Sequence, residues 1–126
     1  MDRLHVCIVE RNLFVSQDMM LSLNSVLPSA VCSVHTTVAE ARTSSRSGSE
    51  PRLVLISADA DGTFSMSRDD ARWLVDDKVI AFDARDRVSH PEWVHLNKPF
   101  AEEELTSAVR QLVVDRADEK PSLGYG

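Results

Sequence analysis

The chain has 126 residues, of which 43% are apolar and 27% are charged, a composition typical of one globular domain and not of a disordered chain. Its formal net charge is −6 and it has no basic cluster, so we expect no binding to nucleic acid, which requires a positively charged face. No apolar stretch reaches the roughly 18 residues of a membrane span, and the charged residues near the amino terminus do not fit a signal peptide. We therefore expect a cytoplasmic protein without membrane contact.

The first part of the chain alternates between strand and helix patterns. Residues 4–9 are an unbroken apolar run, which predicts a strand buried on both faces. Residues 30–35 form a shorter and more polar strand, which fits a sheet edge. Thr37 and Glu40 have the spacing of a capping box and predict a helix to about residue 47. Between the two strands, residues 13–27 predict a helix that ends before Pro28, with a stripe of Phe14, Met19, Met20, Leu23 and Leu27.

Residues 51–58 predict the strand around which the sheet is organised, because this apolar run lies between turn signals and needs cover on both faces. Ser67 and Asp70 favour the start of a helix that continues to residue 75. Two further strands are predicted at residues 78–82 and 93–97. The clearest helix spans residues 102–115, with three acidic residues in its first turn. We expect a domain over residues 1–116 and a flexible tail over 117–126.

This alternation predicts an α/β fold in which one parallel sheet lies between two layers of helices. Parallel α/β sheets place their sites at the carboxyl ends of the strands. The polar residues expected to converge there are Glu10, Arg11, Ser57, Asp59, Asp83 and Lys98. The nine residues between the fourth and fifth strands, 84–92, are too few for a helix of two to three turns and its two connections, so the fourth helix is predicted to be short or absent.

Over residues 4 to about 115, the pattern resembles the receiver domains of two-component response regulators. The resemblance rests on four segments: Glu10-Arg11-Asn12 after the first strand, residues 51–57 with Gly62 beyond them, Phe82-Asp83-Ala84, and Asn97-Lys98-Pro99-Phe100. It implies a flavodoxin-like sheet of five parallel strands in the order 2-1-3-4-5. It also implies that the Lys98–Pro99 peptide bond is often cis.

The resemblance further implies phosphoryl transfer from a phosphohistidine to an aspartate with bound magnesium, but this chain departs from that pattern. Ser57 stands at the position of the nucleophile, Arg11 at the second position of the acidic pair, and Asp83 at a hydroxyl position. Glu10 and Lys98 are retained. Counting Glu10 and Asp83 against Arg11 and Lys98 predicts a pocket of balanced charge, with an internal ion-pair set in place of the metal and weak or absent Mg²⁺ binding.

The functional prediction is a phosphorylation-independent pseudo-receiver that binds another protein and is not an enzyme. The partner would be a signalling protein, such as a histidine kinase or another regulator, or a second copy of the chain. One alternative is an active receiver in which Asp59 or Asp61 accepts the phosphoryl group. A more distant alternative is a small metal-dependent enzyme built on Asp59, Asp61 and Asp83.

Two further predictions concern the fourth and fifth strands. The resemblance implies that Asp83 and His95 stand at the two positions that move together when a receiver is activated. A hydrogen bond between them would couple this edge of the sheet to pH. The alternative is that His95 is an exposed histidine at a strand end. A missing fourth helix would bare the sheet edge near Trp93, Val94 and Phe100 as an interaction surface, although Trp93 fits the core equally well.

Overall fold

The computed structural model describes residues 4–44, 53–74 and 78–114. One parallel sheet contains all five strands in the order β2-β1-β3-β4-β5. The strands are β1 (His5–Val9), β2 (Val31–His35), β3 (Leu53–Ser57), β4 (Val79–Phe82) and β5 (Val94–Leu96). The helices are α1 (Leu13–Val26), α2 (Val38–Ser44), α3 (Arg68–Trp73) and α4 (Glu102–Val109), and a π-helical turn (Arg110–Val114) follows α4. The predicted fold class, strand order and edge position of β2 are confirmed.

Strand β3 is buried on both faces because its alternate side chains enter two separate cores. Leu53 and Leu55 pack with residues of α1 and α4, while Val54 and Ile56 pack with residues of α2 and the end of α3. All four side chains are at most 3% exposed. The uninterrupted apolar run thus reflects helices on both faces of a parallel strand.

The helix starts follow from short polar side chains. Asn12 caps α1, since its Oδ1 accepts hydrogen bonds from the backbone nitrogens of Phe14 and Val15. Ser67 and Asp70 form the full capping box of α3.

At α2 half of the predicted capping box forms. Thr37 Oγ1 accepts from Glu40 N, but the Glu40 carboxylate binds the backbone nitrogen and hydroxyl of Thr36. The helix still begins where the sequence predicted.

The connection from β4 to β5 contains no helix over residues 83–93, as the short spacing predicted. Hydrogen bonds tie this loop to its surroundings. Arg85 N donates to Gly62 O at 2.9 Å, and the Arg87 guanidinium donates to Asn97 Oδ1 at 2.7 Å. In the described part of the chain, no helix is long and apolar enough to cross a membrane.

Some predicted details are wrong. Phe14 is 85% exposed instead of lying in the apolar stripe, because five residues at 3.6 per turn place it about 140° around the helix from the buried Met19. Strand β5 is shorter than predicted, starting at Val94 and ending at Leu96. The predicted ends of the second and third helices, residues 45–47 and 75, the start of the third strand, 51–52, and the tail, 117–126, lie outside the described residues.

Candidate functional site

Lys98 is the centre of the polar cluster at the carboxyl edge of the sheet. Its Nζ donates to Glu10 Oε1 at 2.8 Å and to Ser57 Oγ at 3.4 Å. The same nitrogen lies 3.7 Å from Asp83 Oδ2. Residues that follow β1, β4 and β5 thus meet the last residue of β3 in one place, as the parallel topology predicted. The peptide bond between Lys98 and Pro99 is cis.

Glu10 is the most deeply buried charged group in this cluster, at 6% exposure. Its second carboxylate oxygen, Oε2, accepts from Asn12 N at 3.0 Å. Burial by itself would raise the pKa of Glu10, but hydrogen bonds from Lys98, Ser57 and Asn12, with the charge of Lys98, lower the pKa below its ordinary value of 4.5. Glu10 is therefore a carboxylate at neutral pH, and both of its oxygens are already bound.

Asp83 joins the ends of β4 and β5. Its backbone nitrogen donates to Leu96 O at 2.9 Å, and its Oδ1 accepts from Lys98 N at 2.8 Å. Asp83 has a φ of 64°, in the left-handed region that aspartate tolerates better than most residues. This backbone conformation directs the Asp83 carboxylate towards Lys98. The sequence alone did not indicate it.

Arg11 does not join the ion-pair set predicted for it. Its guanidinium lies 3.4 Å from Asp59 Oδ1, and its side chain is 66% exposed. The chain bends at Arg11, after the end of β1, and this side chain does not follow Glu10 into the cluster. Three carboxylates (Glu10, Asp59 and Asp83) against two cations (Lys98 and Arg11) leave a net charge of −1 instead of the balanced pocket predicted.

The alternative acceptors, Asp59 and Asp61, bind partners other than Lys98. Asp59 lies beyond the end of β3, and its Oδ2 accepts from Ser65 Oγ at 2.6 Å. Asp61 is exposed, and its Oδ1 accepts from both the backbone nitrogen and the hydroxyl of Thr63. Within the described ranges, no three histidine, cysteine or acidic side chains are grouped so that they could hold a metal ion.

His95 bonds to the loop and not to Asp83, so the predicted Asp–His hydrogen bond is wrong. Its Nε2 donates to His90 O at 3.0 Å, which assigns the proton to that nitrogen, and its buried Nδ1 has no hydrogen-bond partner among the described residues. The strand register explains the difference, because His95 is level with Ala81 while both oxygens of Asp83 are directed at Lys98.

Trp93 belongs to the core, so its assignment to an exposed interaction surface is wrong. It is 5% exposed and stacks on the His90 ring with centroids 3.8 Å apart, and Phe64 meets it edge-on at 5.5 Å. His90 and Phe64 cover the indole without a fourth helix. Val94 and Phe100 are half-buried against the core shared with α1 and α4, so the predicted surface is partly covered there too.

A cavity of about 290 Å³ adjoins the cluster between the loops after β1, β2 and β3. Glu10, Arg11, Ser57 and Asp59 line it, whereas Lys98 and Asp83 do not. The Lys98 cluster therefore closes one side of a small polar cavity.

No family model and no curated protein matches this chain. Solved structures do. A response regulator receiver protein from Sinorhizobium medicae aligns with a TM-score of 0.69 at 19% identity, over 91% of this chain and 98% of its own. The response regulator PhyR from Brucella abortus aligns with a TM-score of 0.72 at 21% identity, over 97% of this chain and 52% of its own. The anti-anti-sigma factor PhyR from Bartonella quintana aligns with a TM-score of 0.69 at 20% identity, over 98% of this chain and 52% of its own.

This chain spans about half the length of the two PhyR proteins. It has the fold of a response-regulator receiver domain, as the sequence resemblance predicted.

Proposed function

We propose that this chain is a receiver domain of two-component-type signal transduction that works without phosphorylation, as a protein-interaction module. The observation that carries the proposal is the state of Lys98. Its ammonium group is bound to the buried Glu10 carboxylate at 2.8 Å, and it meets a hydroxyl, Ser57 Oγ, at the position where an acceptor aspartate would stand.

The chemistry of the site supports this reading. Phosphoryl transfer to a receiver requires an anionic oxygen nucleophile and a divalent cation to neutralise the phosphate. A serine hydroxyl needs an adjacent base to become a nucleophile. The carboxylate next to Ser57 is that of Glu10, whose pKa, despite burial, is lowered by its hydrogen bonds and by Lys98, so it is a weak base, and Lys98 Nζ donates to Ser57 Oγ. The cluster carries one negative charge in excess, less than the surplus of about −2 that a divalent cation would neutralise in a site with three carboxylates and one lysine.

We expect the partner to be a signalling protein, because the similar solved structures include response regulators and an anti-anti-sigma factor. The partner would be a histidine kinase, another regulator, or a second copy of this chain. In this proposal the chain binds its partner constitutively and catalyses no reaction.

Phosphodonor labelling tests the proposal. The protein is incubated with acetyl phosphate and Mg²⁺, and its intact mass is measured before and after. We expect no covalent adduct. The double variant Arg11→Asp/Ser57→Asp is the comparison, because it puts a carboxylate at the Ser57 position beside Lys98 and replaces the cation of Arg11 by a second carboxylate, and we expect it to gain a Mg²⁺-dependent adduct. An adduct on the unmodified chain that requires Mg²⁺ would overturn the proposal, and peptide mapping would then show whether Asp59 or Asp61 carries it.

Isothermal calorimetry gives an independent test through the metal alone. Titration of Mg²⁺ into the unmodified chain should release no binding heat at millimolar concentrations, because both oxygens of Glu10 are bound to protein donors. Binding at millimolar or lower concentration would contradict the proposal.

A further inference from the structure

In the part of the chain that the structure describes, no strand pairs with the outer main-chain edge of β5. Strand β5 is the last strand of the sheet, and its other side pairs with β4. Leu96 O accepts from Asp83 N, so Leu96 directs its main-chain groups towards β4. Because both main-chain groups of a residue in a parallel strand point to the same side and alternate along the strand, the N–H and C=O of His95 point away from the sheet. An open edge of this kind can pair with another chain.

A groove with an apolar floor runs beside this edge. It has a volume of about 370 Å³ and lies between β5 and α4. Val94, Leu96 and Ala108 supply its apolar surface. Glu103, Glu104 and two neutral polar residues, one in α4 and one in the π-helical turn, complete its lining. A strand added to β5 would place every second side chain on the face of Val94 and Leu96, and therefore in this groove.

Acidic side chains form the rim of the groove, and their charge favours one kind of binding partner. Glu103 and Glu104 are exposed, and among the described residues no lysine or arginine lines the groove. Two copies of the chain joined at this edge would bring the same acidic rims towards each other, which is unfavourable. A basic partner would meet opposite charge.

We infer that β5 and its groove form a docking site for an extended peptide segment of a partner protein. The segment adds to the sheet through His95, places aliphatic side chains at alternate positions in the groove, and carries a basic residue beside Glu103. The inference describes the chemical character of the partner that the proposed interaction module binds, and in that respect it rests on the proposed function. The peptide contacts are main-chain hydrogen bonds for affinity and alternate side chains for specificity.

The probe is a synthetic peptide with the pattern Lys-Thr-Val-Thr-Val-Thr-Lys, which reads the same in both strand directions. It is titrated into the isotope-labelled full chain while amide resonances are recorded. We expect shifts at His95 and Leu96, with slower hydrogen exchange at the His95 amide. Amides of β2, the opposite edge, serve as the internal control and should not move.

Two altered peptides and one protein variant separate the contributions. Replacing the lysines by glutamate, or methylating the backbone nitrogens between them, should abolish the shifts at His95. Glu103→Lys should weaken binding of the lysine peptide by about two- to fivefold, because an exposed charge pair is worth up to about 1 kcal/mol. Glu103 is chosen because the Glu104 carboxylate accepts a hydrogen bond from Ala101 N at the start of α4.

The docking site is refuted if His95 does not respond to the lysine peptide, if the glutamate or methylated peptide acts equally, or if β2 shifts as strongly as β5. These outcomes are separate from a failure of the proposed function. A Mg²⁺-dependent phospho-adduct would refute the latter while leaving the peptide titration as it stands.

Discussion

Replacing Lys98 by methionine should expose how much of this fold depends on the buried ion pair. Methionine keeps much of the length of the side chain but removes its charge and donors. Glu10 would then remain inside the protein at 6% exposure with a hydrogen bond from Asn12 N but without a cation.

The expected loss of unfolding free energy is about 2–3 kcal/mol. Removing one partner of a fully buried ion pair costs about 3–5 kcal/mol because the other charge is left uncompensated. Here the side chains of Lys98 and Glu10 are 23% and 7% exposed, so water reaches the pair from one side and reduces the cost. The second contact, to Asp83 at 3.7 Å with a side chain 37% exposed, adds little.

The loss should depend on pH in a defined direction. Despite burial, which would raise it, the pKa of Glu10 is lowered below 4.5 in the folded chain by its hydrogen bonds and by Lys98. A carboxyl group with a lowered folded pKa stabilises the fold above its unfolded pKa, and this stabilisation is lost as the pH falls through the folded pKa. In Lys98→Met the favourable partner is gone. The difference in unfolding free energy between Lys98→Met and the unmodified chain should therefore be largest at neutral pH and become smaller below about pH 4.5.

Urea unfolding followed by circular dichroism at neutral pH and at about pH 4 measures this difference. Arg11→Met is the matched control, because Arg11 is 66% exposed and its pair with Asp59 is long at 3.4 Å, so its loss should stay within about 0.5 kcal/mol. The reasoning is refuted if Lys98→Met is no less stable than Arg11→Met, or if its deficit is unchanged at the lower pH.

Two further predictions use matched neighbours. Asp70→Ala should lower the free energy of unfolding in urea by about 2–4 kcal/mol, because Asp70 is 5% exposed, binds Arg42 at 2.8 Å and completes the α3 capping box. The control Asp69→Ala, at a side chain that is 72% exposed, should change it by no more than about 0.5 kcal/mol. Equal losses in the two variants would contradict this prediction. On α1, Leu23→Ala should lower the free energy of unfolding by about 3–5 kcal/mol, because Leu23 is fully buried. In the same assay Leu21→Ala should cost less than about 0.5 kcal/mol, because Leu21 is 69% exposed. A large effect at Leu21 would show that this face of α1 is covered in solution.

The layered architecture could be predicted because its signals are local. The apolar runs that became β1 and β3 are long enough to exclude exposure on either face, and short polar residues cap α1 and α3. The missing fourth helix followed from counting residues between two strands. The orientation of α1 was harder, because Leu13, Phe14 and Leu21 are apolar but exposed, so the stripe could not be identified by hydrophobicity alone.

The site was predicted in its membership and less well in its pairing. Parallel topology brings Glu10, Ser57, Asp83 and Lys98 to one edge, and the structure places them together. The partners of Arg11 and His95 depend on side-chain direction and on register, which composition and spacing do not contain. The chain bends at Arg11, and the guanidinium pairs with Asp59 instead of joining the cluster.

The order of residues along the chain alone determined the five strands, their parallel arrangement and the set of polar groups at their ends, because burial on two faces and connection length act over short distances in sequence. Three-dimensional packing decided which charges meet, that Trp93 is core and that His95 bonds to the loop through His90 O. The ion pairs of Lys98 and Arg11 join segments far apart in the chain, and the contacts of Trp93 and His95 depend on how the loop before β5 folds back. In both cases a small change of position selects a different partner.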